Sequence, residues 1–170
     1  SCTSEINNVQ FQIDFDYVYH LAEYSRITPS FEFIEQVWKS NSLGTFQVLE
    51  FCRKNEIKKI VYAGSSTKFA PEGTGHSPYS FTKSQSVELL KNYYKWYGLE
   101  YSICYFYNVF GPHYDSSPVA GYESVVSVFE KQFKAGKPLT IFGDGEQKRS
   151  FTFVGDIVNG LIKSCYYENS

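Results

Sequence analysis

Tyr79 and Lys83 stand four residues apart in the stretch Tyr79-Ser80-Phe81-Thr82-Lys83. On a helix that spacing puts a phenol and an ammonium on one face. A nearby cation favours the phenolate, so Tyr79 is expected to act as a base well below the ordinary tyrosine pKa of about 10. The run before it ends in Gly64-Ser65-Ser66-Thr67. Hydroxyls placed across a cleft from the phenol would hold a substrate oxygen. Such a set suits removal of a proton from an alcohol while hydride leaves its carbon. A Tyr-x-x-x-Lys pair occurs by chance on many helices, so its weight comes from the elements around it.

Those elements alternate. Phe15–Leu21 reads as a short buried strand, and Ala22-Glu23-Tyr24-Ser25 as the loop leaving it. Thr28-Pro29-Ser30 signals a helix start. Ile34, Val37, Asn41, Gly44, Val48 and Phe51 then step by three or four, one face of a long helix from about Phe31 to Lys54. Asn41 is an odd polar residue on that face, and Gly44 there permits close approach to a sheet. Lys59–Gly64 is a second strand, and 68–78 a loop rich in glycine and proline. A helix is expected from about Tyr79 to Tyr97, stopping at Gly98. Tyr101–Tyr107 is a third strand, and Asn108–His113 leads the chain out of the sheet. Val119–Ala135 reads as helix, Leu139–Phe142 and Phe151–Val154 as short extended pieces, and Asp156–Tyr167 as an amphipathic helix with Ile157, Leu161, Ile162 and Cys165 inward. Continuous apolar strands separated by helices imply a mostly parallel sheet covered on both faces, an α/β fold.

Composition narrows the function classes. A chain of 170 residues with 42% hydrophobic and 19% aromatic content has the means to bury a core. A net charge of -2 with scattered basic residues gives no footprint for nucleic acid. No apolar run approaches the roughly 20 residues of a membrane span, and no signal-peptide pattern opens the chain. A cytoplasmic protein is expected. Cys2, Cys52, Cys104 and Cys165 form no C-x-x-C pair and read as reduced structural cysteines. His20, His76 and His113 lack metal-ligand spacing, so no metal is expected. The absence of methionine fits either a removed initiator or a piece of a longer chain.

Six blocks occur in one order: His20-Leu21-Ala22, Asn41-Ser42-Leu43-Gly44-Thr45, Val61-Tyr62-Ala63-Gly64-Ser65-Ser66, Tyr79-x-x-x-Lys83, Tyr107-Asn108-Val109-Phe110-Gly111-Pro112 and Gly143-Asp144-Gly145-Glu146-Gln147-Lys148-Arg149. From about Phe15 to the C-terminus this order resembles the extended short-chain dehydrogenase/reductases, specifically the NAD-dependent sugar-nucleotide epimerase/dehydratase family of the UDP-glucose 4-epimerase type. The resemblance implies a truncated Rossmann-like parallel sheet with flanking helices and part of a small substrate lobe. Residues 1–112 would form the partial dinucleotide-binding domain and 113–170 the partial substrate lobe with returning elements. It implies NAD as cofactor and a nucleotide sugar such as UDP-glucose as substrate. Tyr79 matches the catalytic base, and Lys83 the lysine that bonds the nicotinamide ribose and lowers the tyrosine pKa. Ser65 matches the active-site hydroxyl, with Ser66 and Thr67 beside the substrate. Asn108 and Arg149 match residues that hold the sugar and the diphosphate. Leu21 and Ala22 lie where the family's chain passes the dinucleotide, and Asn41 matches a buried asparagine near it. The residue types agree with these roles, since arginine's planar fork suits a diphosphate.

The family's dehydratases carry Asp-Glu after the active-site threonine, where this chain has Ser66 and Thr67. That argues against 4,6-dehydration and for 4-epimerisation through a transient 4-keto sugar. A 4-keto-sugar reductase is the enzymatic alternative. A non-catalytic or partner-dependent nucleotide-sugar-binding relic is the other. No Gly-x-x-Gly-x-x-Gly precedes Phe15, a difference of roughly 60 residues at about 30 per βα unit. Low affinity for NAD, or dependence on a partner, is therefore expected. The Phe15–Leu21 strand would be an exposed apolar edge that pairs with another chain or is buried in a homo-oligomer. Blander readings stand beside these: Ser65–Thr67 as a turn cluster, Asn41 as a tie between loops, Arg149 as a surface ion-pair residue. Glu23, Tyr24 and Arg26 carry no assignment and read as solvated loop.

Overall fold

The computed structural model describes residues 15–69, 76–112 and 124–167. Cys2, His113 and residues 119–123 of the expected third helix lie outside them. Among the described residues one compact unit runs to Phe106 and resumes at Asn159, and the other is Tyr107–Val158. Asn108–Phe110 pairs with Phe151–Phe153 and not with the main sheet.

The first unit holds a three-stranded parallel sheet in the order β1 (Tyr17–His20), β2 (Lys59–Ser65), β3 (Glu100–Phe106). Every residue of β2 is buried, which is what a continuous apolar strand between two neighbours requires. Ile60 and Tyr62 point into the core formed with Val48, Leu49 and Cys52 on one helix and Val87, Leu90 and Tyr93 on the next. Across the three strands Tyr19, Val61 and Ser102 form one row. The Tyr19 hydroxyl lies 2.8 Å from Cys165 Sγ, and Ser102 Oγ donates to the Ser164 carbonyl at 3.0 Å. The sheet is therefore covered on both faces, as the apolar pattern implies.

The long first helix forms as α1 (Ile34–Val37), a π-helical segment Trp38–Leu43, and α2 (Gly44–Lys54). Val37, Asn41, Gly44, Val48 and Phe51 are buried as the periodicity indicates, but Ile34 is exposed. The next helix, α3 (Pro78–Tyr97), has both its ends encoded locally. Ser77 and Ser80 form a reciprocal capping box, and Gly98 adopts φ 71° beyond the last turn, its N–H bonded to the Tyr94 carbonyl. The C-terminal helix α5 (Val154–Ser164) buries Leu161, while Ile162 faces out and Cys165 sits buried just past the helix end. The expected inward placement of Ile162 is thus corrected: Leu161 and Cys165, four apart, are the buried positions, and Ile157 is half-buried. No helix among the described residues is long and apolar enough to cross a membrane.

In the second unit β4 (Asn108–Phe110) pairs in parallel with β5 (Phe151–Phe153), and α4 (Val125–Lys134) lies between them in sequence. Leu139–Phe142 is not a strand. No described strand pairs with it, and Gln132 binds the Thr140 N–H and hydroxyl through its own side chain instead.

Gly64 lies where a Cβ would come within 2.7 Å of Tyr105 Cδ1 and 2.9 Å of Ile103 Cγ2. Replacing it by alanine is expected to destabilise the protein by about 1–3 kcal/mol. Urea denaturation of Gly64→Ala against the unaltered chain measures it.

Candidate functional site

β1 pairs with β2 only as far as His20↔Tyr62, while β2 continues to Ser65 alongside β3. Beyond that last pair the Ala63 carbonyl accepts a hydrogen bond from the Lys83 ammonium. Two residues on, the Ser65 side chain hydrogen-bonds the Tyr79 phenol and favours its ionised form. The first turns of α3 thus bring Tyr79 and Lys83 to the same carboxyl end of the central strand. In open α/β sheets that end is where ligands collect.

The three hydroxyls after Gly64 do different things. Thr67 Oγ1 donates to Ser65 Oγ at 2.9 Å, and the Thr67 N–H approaches the same oxygen at 3.3 Å. Ser66 and Thr67 are half-buried in a short turn, Ser66–Phe69, so the cluster is a local turn whose first hydroxyl, Ser65, faces Tyr79.

Lys83 is almost wholly buried, with 7% of its side chain exposed. Its charge is met by Glu23, whose side chain is 4% exposed and pairs directly with the ammonium. The ammonium also lies 4.4 Å from the centre of the Tyr62 ring. Glu23 accepts two further bonds, from the Tyr62 hydroxyl at 2.9 Å and from Thr45 Oγ1 at 3.0 Å. Three donors around one carboxyl suit its ionised form. Burial pushes the Glu23 carboxyl up and the Lys83 amine down, and each partner's charge opposes the shift in the other. Reading Glu23 as solvated loop is therefore corrected. A lysine on the buried face of a helix needs a counter-charge, and the loop leaving β1 supplies it. The burial of Lys83, legible from the helix face it shares with Val87 and Leu90, is the signal that asks for such a partner.

A second expectation changes with it. The Tyr79 phenol is held above its ordinary value, first by burial and then by the Glu23 charge, against the Ser65 hydrogen bond and Arg26. Burial with the Glu23 charge outweighs the groups that favour the phenolate, so the depression expected from Tyr-x-x-x-Lys does not arise in this arrangement.

His20 completes the buried network. Its Nε2 lies 2.9 Å from Thr45 Oγ1. The Thr45 proton is directed to Glu23, so His20 donates from Nε2 and is neutral. Burial, with the Lys83 charge behind it, lowers its pKa to about 4.

Asn41, fully buried in the π-helical segment, ties the loop after β1 to α3. Its Oδ1 accepts from the Tyr24 N–H at 2.7 Å, and its Nδ2 donates to the Tyr24 carbonyl and to Thr82 Oγ1, each at 3.1 Å. The amide is thereby engaged with protein, and the exposed positions of that loop are Leu21, Ala22 and Ser25. Asn108 and Arg149 belong to the second unit. Asn108 Nδ2 donates to the Ser150 carbonyl at 3.0 Å, which brings these two positions to one end of the β4–β5 pair. Both side chains are exposed.

The model of the NAD dependent epimerase/dehydratase family matches residues 3–166. A putative UDP-glucose 4-epimerase of Methanocaldococcus jannaschii is 37% identical over 141 residues, 76% of this chain and 45% of that protein. The UDP-N-acetylglucosamine 4-epimerase of Methanobrevibacter ruminantium M1, solved with UDP-N-acetylmuramic acid, superposes with a TM-score of 0.81 at 30% identity, over 91% of this chain and 53% of that one. The UDP-glucuronic acid 4-epimerase of Bacillus cereus, solved with UDP-glucuronic acid and NAD, gives 0.78 at 28% identity, over 91% and 50%. The chain spans roughly half the length of the curated relatives it matches.

The His20 shift carries a sign. The unfolded chain takes up the proton near pH 6.5 and the folded one near 4. His20's contribution is complete above about 6.5, shrinks as pH falls through that window, and is gone below about 4. It amounts to roughly 3 kcal/mol. Denaturant titrations of the unaltered chain and of His20→Gln should diverge by that much between pH 7 and pH 4, the variant showing the flatter profile.

Proposed function

The chain belongs to the NAD dependent epimerase/dehydratase family, and from that premise we propose that it epimerises C4 of a nucleotide sugar of the UDP-glucose/galactose kind. The observation that carries this reading is the meeting of Tyr79, Ser65 and Lys83 at the carboxyl end of β2. Tyr79 takes the proton of the C4 hydroxyl and later returns it, while Ser65 holds the same oxygen. The sugar passes through a 4-keto form and turns over between the two steps. Asn108 and Arg149 grip the sugar and the diphosphate, and Ser66 and Thr67 line the sugar's approach.

The residues present fit NAD. Lys83 has three N–H groups, of which Glu23 and Ala63 engage two, leaving donor capacity for a ribose hydroxyl. Lys83, Tyr79 and the exposed Leu21 and Ala22 would hold the nicotinamide half, with Asn41 fixing the loop that carries them. When bound, NAD supplies the hydride acceptor and donor at the sugar carbon. Ser66 and Thr67 put no carboxylate where a leaving hydroxyl would need an acid, which favours epimerisation over dehydration. A cytoplasmic setting and pairing of the β1 edge with a further strand, in a homo-oligomer, complete the proposal. β1 is an edge strand among the described residues and presents Tyr17 and Tyr19 at 39% and 41% exposure.

Purified protein is assayed for NAD released on denaturation and for interconversion of UDP-glucose and UDP-galactose. Tyr79→Phe is expected to lower turnover by about 10²–10⁴-fold. Full activity in that variant removes the proposed base, and net consumption of reduced cofactor turns the reading toward a keto-sugar reductase. Sedimentation velocity should show a species larger than one chain; a concentration-independent monomer removes the edge pairing.

A further inference from the structure

Ser65 is the last residue of β2 and pairs in register with Phe106 of β3, so its backbone is fixed and its hydroxyl rotor is what remains free. A hydroxyl carries one proton and two acceptor lone pairs. Both acceptor positions of Ser65 Oγ are met by one residue. The Thr67 hydroxyl donates to it at 2.9 Å, and the Thr67 N–H approaches it at 3.3 Å. The short turn Ser66–Phe69 makes this possible by bringing Thr67 back to the strand end. Among the described residues no other acceptor meets the Thr67 hydroxyl, so its proton goes to Ser65. The single Ser65 proton is therefore directed out of the turn, to the side on which Ser65 meets Tyr79.

We propose that Thr67 is a positioning residue: by filling both acceptor sites of Ser65 Oγ it makes that hydroxyl a donor alone, with its proton held toward the C4 oxygen of the sugar. The inference deepens the epimerase reading and rests on it for the identity of that oxygen. The C4 oxygen gains negative charge when its proton leaves ahead of the hydride, and again when hydride returns to the keto carbon. A donor aimed at that oxygen stabilises both passages, whereas a lone pair aimed there opposes them. An unrestrained serine rotor presents either. The Thr67 N–H fills one lone pair, and the Thr67 hydroxyl decides the second. Bonds in series polarise one another, so the donation from Thr67 also strengthens Ser65 as a donor. Ser66 takes no part in these two bonds, so of the two hydroxyl residues that follow Ser65 only the second carries this role.

The test joins a double-mutant cycle on stability to one on turnover, using Ser65→Ala, Thr67→Val, their combination and Thr67→Ser in the full chain. Valine keeps the shape of threonine and removes the hydroxyl. In urea denaturation the unfolding constant of the double variant should fall about fivefold short of the product of the two single effects. In UDP-glucose/UDP-galactose interconversion Thr67→Val should lower kcat about tenfold with KM held within about twofold, and Thr67→Ser should restore it. With Ser65→Ala already in place, adding Thr67→Val should lower kcat no further. Independent effects in either cycle, or a Thr67→Val loss that falls on KM instead of kcat, overturn the proposal. Should Thr67→Val fail to fold, Thr67→Ala takes its place in both cycles. Absent turnover in the unaltered chain defeats the epimerase reading, and the urea cycle then decides by itself whether Thr67 holds Ser65. Independent urea effects with turnover intact defeat this inference alone.

Discussion

A buried ammonium cannot be left without a counter-charge, and the placement of Lys83 imposes that constraint on everything around it. The lysine is buried because its helix face is the one that covers the central strand. The counter-charge comes from the loop after β1, which must therefore be held close. Asn41 does that holding with its amide, and the hydroxyls of Thr45 and Tyr62 fill the remaining acceptor sites of Glu23. His20 closes the network from the neighbouring strand. Removal of any one of these donors leaves a polar group buried without its partner, which is more costly than the bond itself.

Strand register decides where that network sits. β1 stops pairing one residue before Ala63, so the end of β2 has a carbonyl for the ammonium and a hydroxyl for the phenol. The same end is where a helix capped by Ser77 begins, so Tyr79 and Lys83 arrive in its first two turns. A strand that is apolar along its length and a helix that is capped by its own serines together place a phenol and an ammonium at one end of the sheet.

Much of this was legible in the residues. The three parallel strands, the two long helices and the stop at Gly98 follow from apolar runs, three-and-four spacing and turn chemistry. Tyr79, Lys83 and Ser65 were singled out by spacing and order. Glu23 was not, because a carboxylate in a short loop looks solvated until the partner it must neutralise is seen in space. The raised Tyr79 phenol was missed because a pairwise argument counted a neighbouring cation and not the burial of the ring, nor the Glu23 charge that adds to it. Leu139–Phe142 shows a different limit. An apolar run specifies a strand only if a neighbour offers a ladder, and none is present among the described residues.

The π-helical segment Trp38–Leu43 has a consequence for the length of the chain. It accommodates one more residue than ordinary winding would between Val37 and Gly44. Because the wider turn absorbs the extra residue, excising one residue there would let the backbone rewind as ordinary α-helix with Thr45, Val48 and Cys52 still facing as they do. A one-codon deletion is thus absorbed in this stretch, whereas the same deletion inside α2 would turn every later position by about 100°.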